Sequence, residues 1–170
     1  QTFQDYRRVA DVLEVYLDAG IDAVMGLFKH PILVDAVAEA EQRTGKQLIR
    51  IDTPTFPLLD GGVDLDETAR TLDAVAGRGA DFCLPHQGTT DALLDRTTRS
   101  IRGMDRICAM IRERGMIPGL STHMPETPVY ADQSELDVAT YIQIYNAQGF
   151  LMQIEIDWVQ RSIHRADKPV

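Results

Sequence analysis

The chain is poor in the features that mark several protein classes. It has two cysteines, Cys83 and Cys108, both in apolar contexts and without metal-type spacing. Buried free thiols are the expected state, which fits a reducing, cytoplasmic compartment. No apolar run approaches the ~20 residues that cross a bilayer, so no membrane partner is expected. The opening residues QTFQDYRR lead straight into an amphipathic helix, without a signal-peptide pattern. Cationic side chains are scarce: 17 Lys and Arg stand against 26 Asp and Glu, giving a net charge of −9 and a pI near 4.8. Nucleic acid is therefore not an expected partner, because its binding needs a cationic surface. Aromatics make up only 6%. No G-x-G-x-x-G follows the first apolar segment, which argues against a dinucleotide-binding open sheet.

What is present is an alternation of two periods. At 170 residues and 44% hydrophobic, the chain suits one domain with a substantial core. Residues 5–19 place Val9, Val12, Leu13, Tyr16 and Leu17 on one helical face, and Gly20 ends that helix. IDAVMG reads as a strand. Pro31 opens a second helix with Leu33, Val34, Val37 and Ala40 inward, and Gly45 stops it. KQLIRID is the next strand, closed by the turn-rich TPTFPLLDGG. Asp64 or Asp66 caps a third helix carrying Leu65, Ala69, Leu72 and Val75. ADFCLPH is the third strand. Residues 90–114 read as helix with a break near Gly103. MIPGLSTH is the fourth strand, PETPVYADQSE a loop with a short helix at most, and VATYIQIYN the fifth strand. Residues 150–165 read as helix, and KPV begins a sixth strand.

Strict βα alternation with apolar strands implies a parallel sheet covered by helices. The predicted strands end in Gly26, Asp52-Thr53, His86-Gln87, Ser121-Thr122-His123 and Tyr145-Asn146. A parallel barrel gathers its chemistry at such carboxyl ends. The expected fold is thus a (β/α)₈ barrel of the TIM type, with residues 1–170 forming one partial barrel domain. Five strands and the start of a sixth fall short of eight, so the simplest account is an internal part of a longer barrel. The unpaired edges require more chain or a partner, for which a second copy of the chain is one candidate.

Alternation along each strand nominates site residues. If Ile49 and Ile51 face the helices, Arg50 and Asp52 point to the barrel axis. Phe82, Leu84 and His86 share a face. Gly119, Ser121 and His123 are inward if Leu120 packs on helices. Placing Ile142 and Ile144 outward leaves Tyr141, Gln143 and Tyr145 inward. Asp52, His86, Ser121, His123, Gln143 and Tyr145 are then expected at one mouth. His30 and His164 are expected at the surface or at helix ends. Glu155 and Asp157, as helix residues, are expected in solvent.

Three runs of sequence carry a family resemblance. ADFCLPHQ (80–87) resembles a strand ending in a catalytic His, RERGMIPGLSTHMPE (112–126) a Gly turn followed by a G-x-S-[NT] strand, and LDVATYIQIYN (136–146) the strand after it. Together they resemble the aldo-keto reductases and their barrel relatives. The resemblance implies a barrel oxidoreductase acting on a small carbonyl substrate with NADP(H). It places Ser121 and Thr122 at positions that touch the nicotinamide amide, and His86 at the His of an Asp-Tyr-Lys-His tetrad. The other three members are missing: no lysine lies near Asp52-Thr53, and no tyrosine lies among Gly26–His30.

Three functions are therefore carried forward. The first is this redox enzyme, with His86, Asp52 and Tyr145 catalytic and Ser121, Thr122 and Gln143 positioning the cofactor or substrate. The second is a lyase, isomerase or hydrolase using a divalent metal on Asp52, His86 and His123. The third is a barrel without catalysis, serving as a binding module.

Overall fold

The computed structural model describes residues 5–170. Helix α1 (Tyr6–Asp18) leads into strand β1 (Ala23–Gly26), helix α2 (Pro31–Thr44) and strand β2 (Ile49–Asp52). A small hairpin, β3 (Leu58–Leu59) and β4 (Gly62–Val63), precedes α3 (Leu65–Gly77) and β5 (Phe82–Cys83). Next come α4 (Gln87–Leu93), a second hairpin of β6 (Leu94–Asp95) and β7 (Ser100–Ile101), and α5 (Met104–Arg112). Strands β8 (Ile117–Pro118) and β9 (Leu120–Thr122), helix α6 (Glu126–Gln133), β10 (Tyr141–Gln143) and α7 (Ile156–Arg165) complete the chain.

Local chemistry sets the helix ends. Asp5 caps α1 by accepting from the Arg7 amide, and Asp64 caps α3 by accepting from the amides of Asp66 and Glu67 at 3.0 Å. Pro31 occupies the first turn of α2, and Gly45 closes that helix at φ 67°, a conformation that any Cβ would penalise.

The fold is α/β with a parallel sheet. Strands β1, β2, β5 and β8 are neighbours in that order, every pair parallel, and β9 pairs in parallel with β10. Spatial order thus follows chain order, with no reversal of the kind that defines a doubly wound sheet. The amides of Ile117, Gly119 and Ser121 donate in turn to the carbonyls of Asp81, Cys83 and Pro85. The ladder between the third and fourth strands is therefore regular as far as Ser121. At the far edge the Tyr141 amide donates to the Pro169 carbonyl at 3.0 Å, laying the KPV segment beside β10 where a sixth strand was expected.

Two apolar clusters join helices to strands. One packs Ala10, Leu13 and Leu17 of α1 against Ala36, Val37 and Ala40 of α2, with Phe28 and Leu48. The other gathers Leu72, Val75, Ile107, Cys108 and Ile111 from α3 and α5 around Cys83, Leu120 and Tyr141. The inward face of α1 is narrower than its pattern suggests: Val12 and Tyr16 stay 44% and 48% exposed.

Several expectations are corrected. Residues 90–114 are not one broken helix. Between α4 and α5 lies the β6–β7 hairpin, whose turn is held by Asp95 accepting from the amides of Thr97 and Thr98. Those two backbone donors hold the Asp95 carboxyl below its ordinary range. Gly103 does mark a boundary, as the N-cap of α5 at φ 67°. The turn-rich segment after β2 contains the β3–β4 hairpin. The segment after β9 forms an eight-residue helix, α6. Helix α7 starts at Ile156, not at residue 150, because Asn146 organises the preceding loop: its side chain accepts from the amides of Gln148 and Phe150 and donates to the Phe150 carbonyl.

The facing of two strands is also reversed. Arg50 and Asp52 enter the helix layer, where Arg50 donates to Glu41 of α2 at 2.8 Å and Asp52 accepts from Arg78 at the end of α3 at 3.2 Å. Ile49 and Ile51 lie on the other face, in register with Ala23 and Met25 of β1. Likewise Tyr141 pairs with Leu120 and is buried among helix residues, so Ile142 shares the face of Ser121 and Gln143 that of Thr122. The physical reason is that the interior of a parallel barrel is itself filled by branched apolar side chains. An isoleucine on a strand therefore does not reveal which face meets the helices, and a fully paired ion can sit in the helix layer.

Candidate functional site

Two of the nominated residues, His86 and Ser121, stay at the carboxyl ends on the open face, and His123 lies in the turn after β9. Phe82 pairs with Ile117 across the third and fourth strands, and an added Cβ at Gly119 would meet Leu84. Continuing that alternation puts His86 and Ser121 at neighbouring positions on one face. His86 also caps α4: its Nδ1 accepts from the Gly88 amide at 3.2 Å. An imidazole accepting at Nδ1 carries its proton on Nε2, so His86 offers a donor to the mouth. The hydroxyl of Ser121 and the ring of His123 have no hydrogen-bond partner among the described residues, and both residues are half-buried.

The turn that carries His123 is fixed by Asp91, a residue that sequence reasoning missed. One Asp91 oxygen accepts from the Thr122 hydroxyl at 2.5 Å, and the other accepts from the His123 amide at 3.1 Å. The Thr122 oxygen also accepts from the Met124 amide at 2.9 Å and lies 2.9 Å from the Thr127 hydroxyl. This buried network ties α4, β9 and α6 together. Thr122 is spent inside it and does not face the mouth. The signal in the sequence is faint: Asp91 follows His86 by five residues, inside a segment that reads as continuous helix.

The remaining nominated residues are elsewhere. Asp52 is 2% exposed and paired with Arg78. Gln143 turns to the helix layer, where its Nε2 donates to the Ile144 carbonyl at 3.4 Å and its Oε1 is buried without a partner among the described residues. Tyr145 is 47% exposed in the loop beyond β10. Asp52, His86 and His123 do not form a metal cluster, and among the described residues no three His, Cys, Asp or Glu side chains are grouped to hold a metal ion.

Beside the mouth, a groove of about 430 Å³ runs between the β6–β7 turn, α6 and the start of α7. Arg99 stacks over the Tyr130 ring at 5.6 Å, and Trp158, 58% exposed, lines the same groove with Glu126 and Glu155. Arg96 reaches across to Glu126 at 2.6 Å, fastening the hairpin to α6. Arg99 and Tyr130 were invisible to a reading that placed one in a helix and the other in a loop.

No protein-family model matches the chain, and no curated protein does. Solved structures do. A protein from Silicibacter pomeroyi DSS-3 assigned as a glycerophosphoryl diester phosphodiesterase, a TIM-barrel protein, aligns at a TM-score of 0.50 and 15% identity. The alignment covers 96% of this chain and 46% of that one. The octameric ribulose-1,5-bisphosphate carboxylase/oxygenase from Pyrococcus horikoshii OT3, crystallised with sulfate, aligns at a TM-score of 0.57 and 11% identity, over 98% of this chain and 42% of that one. The chain thus spans less than half the length of either structure. At such identities the likeness is one of fold, and neither protein is an aldo-keto reductase. Among the described residues, no helix is long and apolar enough to cross a membrane.

Proposed function

We propose that this chain contributes five βα units to a (β/α)₈ barrel enzyme that acts on a small phosphorylated molecule at the carboxyl ends of its strands. Sequential parallel order supports the barrel, as does the fold likeness to a TIM-barrel protein. The carrying observation for the site is that His86 and Ser121 occupy adjacent strand ends on one face, with His123 held in the next turn by Asp91. Both solved structures are named for compounds of phosphate.

The chemistry assigned is acid–base. His86 Nε2–H and the Ser121 hydroxyl donate to non-bridging oxygens of the ester, where negative charge grows. In hydrolysis, the oxygen of water bonds to phosphorus as the P–O ester bond breaks. His123 takes the proton from that water and hands it to the leaving oxygen. The groove with Tyr130 and Trp158 receives the organic part of the molecule.

Carbonyl reduction with NADP(H) is the competing reading. It keeps His86 and Ser121 but loses Thr122 to the Asp91 network and Gln143 to the helix layer. The test uses the polypeptide that carries this chain together with its barrel-closing strands. Hydrolysis of bis-p-nitrophenyl phosphate, reduced at least tenfold in His86→Gln and in His123→Gln, is the expected result. Absence of ester turnover together with saturable NADPH fluorescence quenching that weakens in Ser121→Ala overturns it in favour of the redox enzyme.

A further inference from the structure

We propose a second site, an oxyanion pocket in the helix layer beside the end of β2, which takes phosphate or the phosphate of a monoester. A cleft of about 400 Å³ opens there between the β1–α2 loop, the end of β2 and the length of α3. Its charged lining is Lys29, Arg70, Arg78 and Asp52. Three cations therefore meet one carboxylate, in a chain whose net charge is −9. In so acidic a protein, cations gathered on one cleft are the arrangement that calls for explanation.

The cations are incompletely matched. Asp52 is 2% exposed and already accepts from Arg78, so it is not available to the other two. Lys29 has no carboxylate within 4.0 Å among the described residues. Arg70 meets only Glu67, its exposed neighbour one turn away on α3. Arg78 carries a buried Nε that finds no acceptor among the described residues. The Arg78 guanidinium edges the cleft beside Asp52, where an oxyanion adds a second acceptor for its terminal nitrogens. Thr55 and Thr71 add hydroxyl donors to the lining. Cations with hydroxyls, and no free carboxylate, form the donor set that recognises a phosphoryl group.

The pocket is separate from the mouth. Asp52 faces the helices, whereas His86 and Ser121 lie on the opposite face of the sheet. This inference therefore stands whether or not the mouth hydrolyses esters.

The experiment is isothermal titration calorimetry of the protein with inorganic phosphate and with phenyl phosphate at low ionic strength, in a His86→Gln/Ser121→Ala background that disables the mouth. Saturable binding is expected, weakened at least tenfold in Lys29→Gln/Arg70→Gln. These two side chains are exposed or paired only at the surface, so the double variant keeps the fold. Asp52→Asn, checked for folding by its melting curve, removes the one carboxylate of the cleft and releases Arg78, and is expected to tighten binding several-fold. Tighter binding of phenyl phosphate identifies an ester as the natural source, and tighter binding of inorganic phosphate identifies the free ion. Either satisfies the proposal. Absence of saturable binding, or binding unchanged in Lys29→Gln/Arg70→Gln, overturns it.

Discussion

The hydroxyl of Tyr141 donates to Asp132 at 2.6 Å and so joins the last strand of the sheet to α6. Asp132 also accepts from Lys168 at 2.7 Å and from the Asp167 amide at 2.9 Å, which binds the end of the chain to the same point. Burial opposes ionisation of Asp132, but these three donors prevail and hold its carboxyl below the ordinary range. Burial and the adjacent carboxylate push the Tyr141 hydroxyl up, so it remains a donor at any ordinary pH. Tyr141→Phe is expected to cost about 1.5–3 kcal/mol, as a hydrogen bond to a charged group does. A group with a depressed folded pKa stabilises at pH above its unfolded value, and that contribution is lost as pH falls through the folded one. The deficit of Asp132→Asn against the parent should therefore be full at pH 7 and shrink in acid. Urea melts of both proteins across that range check it. A deficit independent of pH would show that the network does not act through charge.

Two glycines, at the end of β1 and between β8 and β9, separate tight packing from loose. A Cβ at Gly119 would stand 2.7 Å from Leu84 Cγ and 2.8 Å from the Thr140 carbonyl oxygen, and the latter is backbone. A Cβ at Gly26 would meet only the tip of Leu33. Gly119→Ala is expected to destabilise by about 1–3 kcal/mol through overpacking. Gly26→Ala should cost about 1 kcal/mol or less, because Leu33 can turn aside. Melting temperatures of the two variants give the comparison, and equal shifts would refute it.

How much of this was legible depended on whether a signal is local. Asp64, Pro31 and Gly45 announced helix ends from within a few residues, because caps and left-handed turns are chemistry of the nearest backbone groups. The buried thiols of Cys83 and Cys108 followed from their apolar neighbours. The facing of β2 and β10 was not legible. Ile51 and Ile142 serve the open face as well as they would serve a helix, and Arg50 is tolerated among helices only because Glu41 comes from 9 residues away. Asp52 was nominated for the mouth on the same mistaken parity. Asp91 could not be found without the hairpin after it, since an unbroken helix would have carried the segment elsewhere.

The Asp91–Thr122 contact should matter for the shape of the mouth more than for the fold as a whole. Thr122→Val deletes the donor to Asp91 and the acceptor for the Met124 amide, leaving two part-buried groups unmatched, at a cost of about 1 kcal/mol each. Thr122→Ser keeps the hydroxyl and should restore most of that loss. Because His123 rides on the same turn, its imidazole resonance in the NMR spectrum should move in Thr122→Val and in Asp91→Asn. It should stay near the parental position in Thr122→Ser. An unmoved His123 signal in all three would show that Asp91 does not position the turn.

The two thiols give a probe of the core that requires no substrate. Cys83 is 0% exposed and Cys108 1%, both within the cluster that joins α3 and α5 to the sheet. Burial pushes both thiols up, Cys108 to about 12, and Cys83 is raised further by the Asp52 carboxylate. The thiolate is the reactive form, and neither group holds it in the native state near neutral pH. With a disulfide reagent such as dithionitrobenzoate at pH 8, the folded protein should release almost no colour, and two equivalents should appear in urea. The rate in dilute urea then reports opening of the α3–α5 layer. Asp52→Asn withdraws the nearby negative charge and should leave Cys83 slightly easier to ionise. Its labelling should therefore speed up relative to Cys108 once opening is no longer limiting. Prompt labelling of either thiol in the native protein would contradict the packing of this layer against the sheet.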